Sequence, residues 1–424
     1  MAEDFWLYKW IDEFEVTNQA TSQSALSNKK ALRRLRELAD LADLTEHEAP
    51  SPYEEVENAL VLGRDMDLSG DLDCCLDVSK THQIDLHFGR LMHYFDRLIV
   101  SGPSACRYSS LLEYRTEQAL RGIASHIEAL VYVREIGAED IIKFQPKYSI
   151  DSRKYRKIAK QFGLASVLDC EDAVTSLFVR EGVFSHIRAC EREAHWHFNF
   201  GHPLLEHDLD IVLWQKKKPA KRQMARRAFD YYAALLTSDS VSSQLMNLPL
   251  GSNADLHATM FSGPKSEFII SETALNIYLP VLDGIPLRDI IRLRRDEHDH
   301  FVKFQSALRA GIKKQLSDSR ADPLRAAQEV QREIIEPSLS DINMRLCAAE
   351  KSLSKKISLG VGVGSTLTMI GALASTPLII GSGLAVAATA VASAQNYIES
   401  KKDIELSDMY FLWLLEREHR KHRH

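Results

Sequence analysis

The densest group of chemistry-bearing side chains runs from His195 to Asp210, as HWHFNFGHPLLEHDLD. His195 and His197 are two positions apart. On a β-strand alternate side chains share a face, so both imidazoles would point the same way. Two neutral imidazoles placed like this can chelate a transition metal, with His202, His207, Asp208 or Asp210 completing the shell. A divalent metal held there would be the cofactor of a hydrolase or nuclease. The competing account is a turn whose histidines hydrogen-bond to carboxylates and backbone.

A second oxygen-rich stretch is Asp65-Met66-Asp67-Leu68-Ser69-Gly70-Asp71-Leu72-Asp73. It resembles the calcium loop of an EF-hand, with oxygen ligands at Asp65, Asp67, Ser69 and Asp73 and Gly70 at the sharp turn. Leu76 stands where that loop carries its bidentate Glu, so the strongest ligand is missing. The His195–Asp210 stretch faintly resembles the HxHxDH motif of metallo-β-lactamase-like hydrolases, with Asn199 and Phe200 in place of its Asp-His pair. Asp208-Leu209-Asp210 resembles the DxD strand of nucleotidyltransferases, without the Gly-Ser that precedes it. Glu297 and His300 make one ExxH where a di-iron bundle needs two. No GxxxxGK[ST], GxSxG or HExxH occurs.

Charge is unevenly placed. The chain has a net charge of −6 over 424 residues. Residues 1–80 carry 18 acidic and 8 basic side chains, a net of −10, which leaves +4 for the rest. Lys216 to Arg227, KKKPAKRQMARR, holds seven basic residues and no acid. Anionic lipid headgroups, nucleic acid or the acidic N-terminal region could each neutralise it. Nucleic acid is the least expected of these, because the overall charge is negative and no aromatic interleaves the run. The six cysteines show no CxxC and no framework spacing, as reduced thiols of a cytosolic protein would. The N-terminus lacks a basic region followed by an apolar run, so no secretory signal is expected.

The elements that must position these groups read as helices. Trp6, Tyr8 and Trp10 lie in a short amphipathic segment near the N-terminus. Leu32, Leu35, Leu38 and Leu41 recur through 25–43, and Ile84, Phe88, Leu91, Phe95 and Leu98 through 82–100. Long helices are expected over 110–136, 286–316 and 323–356, the last kinked at Pro337. The expected fold is mainly α: a multi-helix body with a C-terminal hydrophobic helical hairpin and a small β-hairpin near 195–214. The expected organisation is an N-terminal helical region (1–150), a central mixed region (151–264), a long-helix scaffold (265–356), the hairpin (357–398) and a C-terminal helix with a basic tail (399–424).

The hairpin rests on residues 357–398, which contain no Asp, Glu, Lys, Arg or His. Forty-two residues are about twice a spanning helix, and Pro377 divides them. Gly360 and Gly364 form a GxxxG, and Gly383 and Ala387 continue a small face. Lys355 and Lys356 precede the stretch, and Lys401 and Lys402 follow it, as expected if both ends face the cytoplasm. In length, small-residue content and central turn the stretch resembles the hydrophobic hairpin of pore-forming colicins.

The favoured function is therefore a cytosolic, membrane-active protein whose hairpin inserts into, or anchors to, a bacterial inner membrane, as a toxin or defence effector would. Anionic lipid is the expected partner, with self-association as a further expectation. The alternatives are a metal-dependent hydrolase or nuclease built on His195–Asp210, and a non-enzymatic helical scaffold.

Overall fold

A computed structural model describes residues 5–44, 50, 52, 58–63, 84–85, 88–89, 91–114, 117–145, 148, 150, 153–190, 195–205, 208–251, 277, 285–318, 323–345, 405 and 407–422. The chain separates into two units, Met1–Leu275 with Pro286–Ile291, and Asn276–Ile285 with Arg292–His424.

The first unit opens with helices α1 (Trp6–Glu13), α2 (Gln19–Ser27) and α3 (Lys29–Asp43). Asn28 ends α2, and its side chain caps α3 through the Lys30 amide, so the stretch expected as one helix is two. The aromatic residues of α1 are core anchors. Trp10 is fully buried and its indole donates to the Ala31 carbonyl at 2.8 Å. Leu41, in contrast, is 60% exposed. A repeat of three falls short of the helical turn of 3.6 residues, so nine residues after Leu32 the stripe has moved round to the opposite side.

Strands β1 (Ala59–Leu62) and β2 (Arg97–Ser101) follow, then α4 (Ala105–Tyr114), α5 (Glu117–Glu135) and β3 (Ile142–Gln145). They form a parallel sheet in the order β3-β2-β1-β7, where β7 is Leu250–Gly251. This sheet overturns the mainly-α expectation: the fold mixes α and β. All of β1 is buried, and so is the centre of β2. Parallel strands covered on both faces show continuous apolar runs, which lack the alternation that marks a strand. The expected helix over 82–100 gives way to β2, and the run Ala59-Leu60-Val61-Leu62 is a strand.

A second sheet makes up the rest of this unit. After α6 (Tyr155–Gln161), α7 (Ala165–Asp169) and α8 (Glu171–Glu181) come β4 (Val183–Cys190), β5 (His195–Gly201) and β6 (Leu209–Trp214). They are antiparallel in the order β4-β5-β6, one strand more than the hairpin expected there. Helix α9 (Lys221–Met246) packs on this sheet, and its end leads into β7. Asn247, in the left-handed conformation with φ 56°, closes α9.

Helix α10 (Leu287–Asp296) starts in the first unit and passes into the second at Arg292, and the second unit continues with α11 (His298–Asp318), α12 (Pro323–Val330) and α13 (Tyr410–His422). After α12 a π-helical turn, Gln331–Ile335, leads to Pro337, and the helix resumes over 336–345. Proline has no amide to offer the carbonyl four residues back, and the wider turn lies where the ladder is broken. The hydrophobic hairpin expected over 357–398 falls outside the described residues, and no such element enters the fold described. Among the described residues no helix is long and apolar enough to cross a membrane.

Candidate functional site

The three-stranded sheet brings the most chemistry together. Phe198, Phe200 and Ile211 point inward and are fully buried in a core shared with Phe178 and Phe229. Alternation then sends the intervening residues to the other face. Strand register sets Cys190, His195 and Trp214 in one row, Arg188, His197 and Val212 in the next, and Ser185, Asn199 and Asp210 in a third. A bulge between Ser185 and Arg188 breaks the β4 register, with His186 at φ 50°.

His195 and His197 share this outer face. Their Nε2 atoms are 2.7 Å apart, so one ring donates a hydrogen bond to the other. The Trp214 ring lies 4.6 Å from the His195 ring. His202 is on the opposite side of the sheet, buried against Phe178 and Phe200. Its Nδ1 accepts from the Leu204 amide at 3.1 Å, and its Nε2 lies 3.9 Å from Glu181. Burial holds its pKa below the ordinary histidine value, with Glu181 pulling weakly the other way. Asp208 lies over Gly201, and Asp210 stands opposite Asn199, one row beyond His197. His207 lies outside the described residues. The structure therefore joins His195 to His197 and leaves His202 and the two carboxylates apart from them. Among the described residues no group of three or more His, Cys, Asp or Glu could hold a metal.

Of the other candidates, Asp65, Asp67, Ser69 and Asp73 lie outside the described residues. So do Gly360, Gly364, Pro377, Gly383 and Ala387, and the flanking Lys355, Lys356, Lys401 and Lys402.

Beside the histidine pair is a cationic surface. Strand β6 ends at Trp214, whose side chain is 64% exposed. Gln215 turns the chain by donating to the Lys217 carbonyl at 2.8 Å. Lys216, Lys217, Lys218, Lys221, Arg222 and Arg226 are all exposed. Lys216, Lys217, Lys218 and Arg222 make no ion pair among the described residues. Lys221 sits 5.8 Å over the Phe184 ring. No acid stands in the first turn of α9, so its basic residues meet the positive end of the helix dipole, a local cost of about 0.3–1 kcal/mol each.

The patch rests on a fixed base. The Arg227 guanidinium donates to the Val212 carbonyl at 3.0 Å, tying α9 to β6. Glu171 bridges Arg156 at 2.7 Å and Arg226 at 2.8 Å. Hydrogen bonding from Arg156 is the main reason its pKa lies below the ordinary carboxylate value. Asp230 accepts from Tyr155 and Arg156 on the same side. Sequence reasoning found the basic run but not Trp214, which lies two residues outside it. The available signal was strand parity: Trp214 shares the outward phase of Val212 and Asp210.

Comparison with protein-family models, with curated proteins and with solved structures finds no match to this chain.

Proposed function

We propose that this protein associates with anionic membrane surfaces through the Trp214 edge and the Lys216–Arg226 patch, and that its charge-free stretch 357–398 then enters the bilayer. The observation carrying this reading is one exposed indole at a strand end, followed directly by lysines that make no ion pair among the described residues. An indole favours the headgroup level of a bilayer, with its apolar body in and its N–H wet. Each adjacent Lys or Arg adds about 1 kcal/mol at an anionic leaflet. Nucleic acid would also attract the cations, but a 42-residue stretch without charge has a role at a bilayer and none on a polynucleotide.

Depth-dependent quenching tests the orientation. Vesicles of phosphatidylcholine with phosphatidylserine, carrying lipids brominated at successive depths, are added to the full chain. Trp214 emission, taken as the difference between the parent and Trp214→Phe, is expected to be quenched most by the shallow label. No quenching of that difference signal at any depth would count against the surface. Tighter binding to a single-stranded oligonucleotide than to the vesicles would transfer the patch to nucleic acid.

A further inference from the structure

We infer that His195 and His197 form a two-imidazole site for a divalent transition-metal ion of tetragonal preference, copper(II) or nickel(II). This does not depend on the membrane reading, and it needs fewer ligands than a hydrolytic metal centre. The two residues are fixed by the same strand, and their Nε2 atoms approach to 2.7 Å. Metal–imidazole bonds are ~2.0–2.1 Å, so two nitrogens bound at a right angle lie ~2.9 Å apart and at a tetrahedral angle ~3.3 Å. The observed spacing is set by the hydrogen bond between the rings, and it has to open by only ~0.2 Å to reach the right-angle separation that tetragonal copper(II) and nickel(II) favour, against ~0.6 Å for a tetrahedral zinc angle.

The surroundings select further. His195 is 5% exposed and held against Trp214, while His197 is partly exposed, so an ion can enter from the His197 side. No carboxylate occupies the two rows that contain the histidines, which disfavours calcium and magnesium. Arg188 stands across from His197 and weakens any cation site electrostatically, so the site is expected to exchange its ion readily. Entry replaces the hydrogen bond between the rings. The donor ring gives up its Nε2 proton and takes one at Nδ1, both lone pairs then face the metal, and no net proton is lost from two neutral rings. Water or an exchangeable ligand fills the remaining positions.

The test uses the full chain carrying His419→Ala, His422→Ala and His424→Ala, which removes the histidines of the C-terminal tail as competitors. Copper(II) is titrated at pH 7.5 and followed by calorimetry and electron paramagnetic resonance. The expected result is one ion per chain, with nitrogen hyperfine structure from two imidazoles and quenching of Trp214 emission. His197→Ala, with melting unchanged, should weaken binding at least tenfold. Loss of all binding in the tail variant would overturn the proposal. So would equal binding by His197→Ala, or a spectrum without two nitrogen ligands, which requires no variant within the sheet.

Discussion

Glu171 accepts from two guanidinium groups, and His202 is enclosed by two phenyl rings, so each links protonation to stability. Glu171→Gln removes the charge that Arg156 and Arg226 share. Because both arginines are partly solvated, the expected cost is modest, about 1–2 kcal/mol, measured by chemical denaturation. The Glu171 pKa is lowered in the fold, so its contribution is present above the unfolded value of about 4.3 and is lost as pH falls through the folded value. His202 also has a lowered pKa, which for histidine means that burial favours the neutral ring. Below about pH 6.5 the unfolded chain takes up a proton that folded His202 resists, so stability falls as pH falls. His202→Gln should flatten the melting temperature between pH 7 and 5 and leave the steeper acid loss below pH 5 in place. An unchanged slope between pH 7 and 5 in that variant would remove His202 as the cause.

At the scale of elements, the junction of β6 and α9 combines an exposed aromatic with exposed lysines that make no ion pair among the described residues. Trp214→Ala is expected to leave stability within about 0.5 kcal/mol, as for other surface substitutions, while weakening vesicle binding. A large fall in melting temperature would mean that the indole is structural. The sequence showed some of this well. The alternation of Trp196, Phe198 and Phe200 with His195, His197 and Asn199 is the period of a half-buried strand, and β5 has that form. It concealed β1 and β2, because a strand buried on both faces has no period to read. Asn28 was also legible in principle as a cap, since Asn at that point satisfies the first amides of a helix. The bridge from Arg156 through Glu171 to Arg226 spans three helices far apart in sequence, and no local pattern announces it.

For the whole molecule, the proposed membrane association uses both the cationic surface after β6 and the charge-free stretch 357–398. Ala387→Asp places a carboxylate within that stretch. On an insertion scale the cost is roughly 2.5–3.5 kcal/mol, so carbonate-resistant membrane association should fall while salt-sensitive association persists. Equal loss of both would show that one region accounts for all binding. The most direct measurement is flotation of the full chain with vesicles of phosphatidylcholine alone and with added phosphatidylserine, at low and high salt. Lys216→Ala, Lys217→Ala and Lys218→Ala are combined as the comparison. At about 1 kcal/mol per lysine, the triple variant should bind anionic vesicles on the order of 100-fold more weakly at low salt. The parent should float with anionic vesicles and lose most of that binding in high salt. A parent that stays at the bottom of the gradient with both lipid compositions, or a triple variant that floats as well as the parent, would contradict the account.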